Sequence, residues 1–90
     1  MIEFEWDEAK RLANIEKHDI DFRRARLLFD GRTILITLVP KPVEIRLSAI
    51  GELDGRMVTA YWTIRGRMIR LISVRRARRE ERRKYRQLYG

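Results

Sequence analysis

The chain has no cysteine, a single histidine, two prolines and five glycines in 90 residues. Without cysteine there is no disulfide staple, no thiolate metal site and no cysteine nucleophile. One histidine, His18, excludes a His-rich zinc site or a two-histidine nuclease within one chain. No apolar run approaches the ~20 residues that cross a bilayer. The longest, Ile34 to Val39, is interrupted by Thr37. The start, Met1-Ile2-Glu3-Phe4-Glu5-Trp6-Asp7, is acidic where a secretion signal is basic. No glycine-rich phosphate loop and no Gly-x-Ser-x-Gly elbow is present. The expectation is one soluble, cytoplasmic domain spanning 1–90, with no membrane contact, no cofactor and no metal.

What the chain has is positive charge, and it is concentrated. Lys and Arg number 21 against 13 Asp and Glu, for a net charge of +8. Residues 1–30 hold eight acids and six bases, whereas residues 75–90 hold eight bases and two acids. Seven of those eight bases are arginine, whose planar fork suits bidentate phosphate contacts. A basic tail behind an acidic front points to a polyanion contact at one end of the molecule, or simply to a solvated basic helix.

Patterning predicts the order (β)–α–α–β–β–β–β–α. Phe4-Glu5-Trp6 is a candidate edge strand, and Asp7 is an N-cap for a helix over about 8–18 with Ala9, Leu12 and Ala13 inward. The opposite stripe of that helix is Lys10, Asn14 and Lys17/His18. Asp21 caps a second helix over 22–29 that buries Phe22, Ala25, Leu28 and Phe29, and Asp30-Gly31 ends it. Residues 33–39 are apolar on both faces and read as a well-buried strand, which Pro40-Lys41-Pro42 stops. In the next strand, 44–50, Ile45, Leu47 and Ala49 alternate toward the core, with Glu44, Arg46 and Ser48 on the other face. Asp54-Gly55 and Arg65-Gly66 are turn signals. They bracket a strand over 56–63 and precede another over 67–74, with Met68, Arg70, Ile72 and Val74 on one face. A basic helix over 75–88 closes the chain, with Ala77, Glu81, Tyr85 and Leu88 on one stripe. The class is α+β: an antiparallel sheet of about four strands, preceded by two helices and followed by a basic C-terminal helix.

This inventory suits the cleavage of RNA, which carries its own nucleophile in the 2′-hydroxyl. Such a protein must hold the backbone in line, accept one proton, neutralise phosphoryl charge and protonate the leaving oxygen. Arg70, Arg75 and Arg76 can supply the charge. Glu44 or Glu81 can be the base, and Tyr85, Lys10 or His18 the acid or a phosphate anchor. Each also has a structural reading: Arg46 pairing with Glu44, Tyr85 and Leu88 facing the core, His18 capping its helix. Trp6 and Trp62 read as packing anchors.

In order and spacing, several segments together resemble the BrnT family of bacterial type II toxins. They are Phe4-Glu5-Trp6-Asp7, Lys10, Asn14, Lys17-His18 and Phe22, then Glu44-x-Arg46 and Ala49-Ile50-Gly51. Arg70-Leu71-Ile72-Ser73-Val74-Arg75-Arg76-Ala77, Glu81 and Tyr85 complete the set. The resemblance implies a RelE-like α+β endoribonuclease that cleaves RNA without a metal and inhibits translation. It implies neutralisation by a BrnA-like antitoxin of the ribbon-helix-helix type, with operator DNA contacted only through that antitoxin. Carried over residue by residue, the catalytic candidates are Glu44, Arg46, Arg70, Arg75, Arg76, Glu81 and Tyr85. The RNA-binding candidates are Lys10, Lys17, His18, Arg79, Arg82 and Arg83. The antitoxin is expected over Arg75, Arg76 and the last helix. Asp19 stands where the resemblance leads one to expect glycine, and Ile64, Arg67 and Arg86 where it leads one to expect acids. The alternative is a non-catalytic basic protein that binds RNA, or an antitoxin-binding co-repressor subunit.

Overall fold

The computed structural model describes residues 2–40 and 44–90. In chain order it comprises β1 (Glu3–Glu5), α1 (Glu8–His18), α2 (Phe22–Ala25) continued by a 3₁₀ turn (Arg26–Phe29), then β2 (Leu35–Val39), β3 (Arg46–Leu53), β4 (Arg56–Arg65), β5 (Met68–Arg76) and α3 (Arg79–Tyr89). The class is α+β as expected. The sheet has five strands in the order β1-β5-β4-β3-β2, and it is mixed because β1 runs parallel to β5 while the other pairs are antiparallel. A three-residue strand is too short to show an alternation, so its pairing was not legible.

The core lies between one face of the sheet and α2 with its 3₁₀ turn. Ile20, Phe22, Ala25 and Leu28 meet Ala49, Leu53, Val58, Ala60, Trp62, Leu71 and Val74. Gly51 is a close approach: a Cβ there would stand 2.7 Å from Ile34 Cγ2 and 3.2 Å from Leu28 Cδ2. The opposite face mixes Ser48, Thr59, Tyr61, Thr63 and Ser73 with Leu35 and Ile50, and α3 lies over it at Thr59.

Several expectations are corrected. In α1, Ala9 and Ala13 are exposed and Leu12 is 55% exposed, while Asn14 is buried. The reason is the edge of β5. Strand β1 covers only Met68–Arg70, and beyond it the Asn14 side-chain amide acts as a peptide group. It accepts the Val74 N–H at 3.1 Å and donates to Val74 O at 2.9 Å and to Ile20 O at 2.8 Å. The strand expected to be well buried, β2, is an edge with Ile36 and Leu38 exposed, and Ile45 is exposed rather than in the core. Apolarity on both faces therefore marks an uncovered edge here. Lys41 and Pro42 of the expected strand stop lie outside the described residues.

In β5 the expected single face of Met68, Arg70, Ile72 and Val74 is split by a bulge. Tyr61 opposes Ser73 and Trp62 opposes Leu71, so Ile72 is the extra residue. Arg70 thereby faces the polar side with Thr63, while Val74 faces the core with Ala60. Arg75 and Arg76 belong to β5 and not to the last helix, which begins at Arg79 and leaves Leu88 exposed.

Candidate nucleic-acid interface

Opposed residues of an antiparallel ladder share a face, so the register assigns the polar side. One row across it is Leu35, Ile50, Thr59 and Arg75, and the next is Thr37, Ser48, Tyr61 and Ser73. Beyond them come Val39 with Arg46 on one side, and Thr63, Arg70 and Glu5 on the other. Arg46, Arg70 and Arg75 thus stand on one face of one sheet.

Arg75 is the most constrained of these. Its guanidinium donates to Glu81 Oε1 at 2.8 Å, to Glu81 Oε2 at 3.0 Å and to the Tyr61 hydroxyl at 2.7 Å. Glu81 also accepts the Thr59 hydroxyl at 3.0 Å and the Arg78 N–H at 2.7 Å, which closes the first turn of α3. Burial opposes ionisation of Glu81 more than any single contact favours it. Together, however, Arg75, the Arg78 N–H and Thr59 outweigh burial and hold its carboxyl at about 2. The pair with Glu81 in turn raises the pKa of Arg75, which stays charged.

Helix α1 forms the wall along the open edge of β5. Asp7 caps it by accepting the Lys10 N–H at 3.2 Å. At its end Asp19 takes a left-handed conformation, φ 57°, and its N–H reaches Ile15 O at 2.8 Å. The residue standing in place of the expected glycine therefore adopts the conformation glycine favours, which Asp tolerates. Lys17 and His18 line a depression of about 410 Å³ together with Arg75, Arg76 and Arg78. They also line an adjoining one of about 170 Å³ with Lys10 and Ser73. Burial first, then the charges of Lys17 and Arg75, push the His18 imidazole below its ordinary value.

The remaining candidates lie elsewhere. Arg46 pairs with Glu44 at 2.8 Å where β3 begins, and its Nε is buried without an acceptor among the described residues. Arg70 pairs with Glu5 at 3.1 Å. The Tyr85 hydroxyl donates to Thr33 O at 3.1 Å, which fastens α3 to the start of β2. Arg79, Arg82, Arg83 and Arg86 line a separate depression of about 450 Å³ that shares no residue with the Arg75 cleft. The basic tail is therefore two surfaces. Sequence reading missed Tyr61, Thr59 and Arg78. The alternation of Val58, Ala60 and Trp62 places Tyr61 on the polar face, but its meeting with Arg75 depends on the bulge. Among the described residues, no three His, Asp or Glu side chains are grouped to hold a metal ion.

Cations on two converging elements, with an imidazole of lowered pKa at their rim, make a surface that can grip a polyanion and take a proton beside it. The family model of BrnT, the ribonuclease toxin of type II toxin–antitoxin systems, matches residues 6–81, and the chain belongs to that family. No curated protein matches the chain. Membership implies an RNA target and an antitoxin partner.

Proposed function

We propose that this chain is a metal-independent endoribonuclease whose cleft lies between the end of α1 and the end of β5. The supporting observation is the convergence of Lys17, His18, Arg75 and Arg76 on one depression, from segments nearly 60 residues apart. Arg76 holds the scissile phosphate, and Arg75, whose fork is taken up by Glu81, Tyr61 and the Arg76 carbonyl, places its positive charge beside it. Glu81 is a positioning residue: both oxygens are occupied and its low pKa makes it a poor proton acceptor. His18, neutral near pH 7, takes the proton of the 2′-hydroxyl as that oxygen attacks phosphorus. The P–O5′ bond breaks, and the Lys17 ammonium supplies the proton to the leaving oxygen. The products are a 2′,3′-cyclic phosphate and a 5′-hydroxyl. Arg46 and Arg70 hold neighbouring phosphates along the polar face, and Glu44 orients Arg46. Lys10 extends the cationic wall along α1, and Tyr85 secures α3.

In the cell this activity inhibits translation in the cytoplasm. A BrnA-like antitoxin of the ribbon-helix-helix type neutralises it and carries the pair to operator DNA. The test is cleavage of a labelled single-stranded RNA in excess EDTA, beside an Arg75→Ala/Arg76→Ala variant and an RNA methylated at the 2′-hydroxyl. Cleavage that persists in EDTA and is lost with either control is expected. Salt-sensitive binding without cleavage would favour a non-catalytic binding subunit instead.

A further inference from the structure

The sheet has two edges, and they are treated differently. The β1 edge is three residues long and carries Glu3 and Glu5, and the rest of β5 is closed by α1 through Asn14. Short, charged or covered edges are how proteins prevent further strand pairing. Among the described residues, the longer β2 edge carries no charge and is not covered. Leu35–Val39 pairs with β3 on one side, and among the described residues nothing pairs with its other side. Residues 33–39 carry no charge in a chain of net charge +8.

The edge adjoins an apolar surface. Ile36 and Leu38 oppose Ala49 and Leu47, which places both on the helix-covered face, at an end the helices do not reach. Ile36 is 49%, Leu38 64%, Ile45 68% and Ile64 58% exposed. Leu47 opposes Trp62, and Ile45, just before β3, lies beside Thr63, the neighbour of Ile64 in β4. The hydrogen bond from the Thr63 hydroxyl to Ile45 O fixes that corner. Two exposed aliphatic side chains on the edge strand itself, with Ile45 and Ile64 at the neighbouring strands' end, make this edge a template for an added strand.

We propose that this edge receives an extended, net-acidic segment of the antitoxin. The segment pairs with β2 through its backbone and sets alternate apolar side chains against Ile36 and Leu38. The proposal rests on the family's antitoxin partnership and not on the cleavage chemistry. Charge selects the occupant: a second copy would add another +8, whereas an acidic segment is attracted by the whole molecule and desolvates no charge of β2 on seating. The docking edge lies outside the residues of the Arg75 cleft, so anchoring and blocking of the cleft are separable.

The test uses the whole toxin and the antitoxin produced with it. Leu38→Arg and, independently, Ile64→Arg alter exposed positions while keeping the surface attractive to an acidic partner, so a loss reports apolar contact rather than charge. Circular dichroism melting checks that each variant folds. The expected result is at least a tenfold weaker antitoxin Kd for Leu38→Arg, a smaller loss for Ile64→Arg, and slowed hydrogen exchange at β2 amides when antitoxin is added to the wild type. Wild-type Kd in both variants, or unchanged β2 exchange in the complex, would overturn the proposal. Slowing that grows with the concentration of free toxin would overturn it in favour of a second copy. RNA cleavage by the same preparations without antitoxin is measured in parallel: inactivity there counts against the ribonuclease reading and leaves the docking result standing.

Discussion

Asn14 shows how one side chain can do the work of a strand. Its amide meets the N–H and carbonyl of Val74 and the carbonyl of Ile20, three backbone groups that are otherwise buried without partners. Asn14→Ala is expected to cost about 2–4 kcal/mol of stability, read by urea unfolding, because stranded buried polar groups cost about 1–3 kcal/mol each. Asn14→Asp, which keeps the acceptor but sets a buried carboxylate against the Ile20 and Val74 carbonyls, should cost at least as much. His18 offers a different reading, in pH. Burial, with Lys17 and Arg75, lowers its pKa, so the neutral, proton-accepting form persists below the ordinary imidazole value. Cleavage should rise with pH on an acid limb whose midpoint lies below about 6.5 and then level off. His18→Asn should abolish that limb and slow single-turnover cleavage by about 10²–10⁴-fold.

At the scale of elements, legibility followed the locality of the cause. The helix capped by Asp7, the Asp54-Gly55 turn and the alternation of β4 are set by neighbours in sequence and form as expected, whereas the helix expected over 22–29 is α-helical only over Phe22–Ala25 and 3₁₀ over Arg26–Phe29. The burial of β2 was misread because a run apolar on both faces looks the same at a sheet's centre and at an edge awaiting a partner. The faces of β5 were misread because a bulge is set by the partner strand. Arg75 and Arg76 were singled out from sequence, but their assignment to a helix failed: the strand simply continues two residues past the apolar alternation. The packing of β3 gives a further prediction. Gly51 leaves no room for a methyl group between Ile34 and Leu28, so Gly51→Ala should destabilise by about 1–3 kcal/mol through overpacking. In an Ile34→Ala background, which removes the Ile34 Cγ2, Gly51→Ala should lower Tm less than it does in the wild type.

For the whole molecule, the basic tail resolves into two surfaces, the cleft beside α1 and the outer flank of α3. If both touch the RNA backbone, Arg79→Ala/Arg82→Ala/Arg83→Ala weakens binding and flattens the plot of log Kd against log salt by about 2, at roughly 0.7 per phosphate contact on a single strand. An unchanged slope in a fluorescence-anisotropy titration would remove α3 from the RNA contact.

The bond between Asn14 and Val74 joins positions 60 residues apart, so it forms only after most of the chain has been synthesised. The wall of the cleft is among the first parts translated, and the strand that completes it is next to last. A nascent chain therefore has no assembled cleft until β5 has emerged and displaced water from Asn14. A chain prematurely ended before Val74 has neither the arginines nor the edge that α1 closes. The order of the elements thus leaves the assembly of the cleft to the last part of the chain.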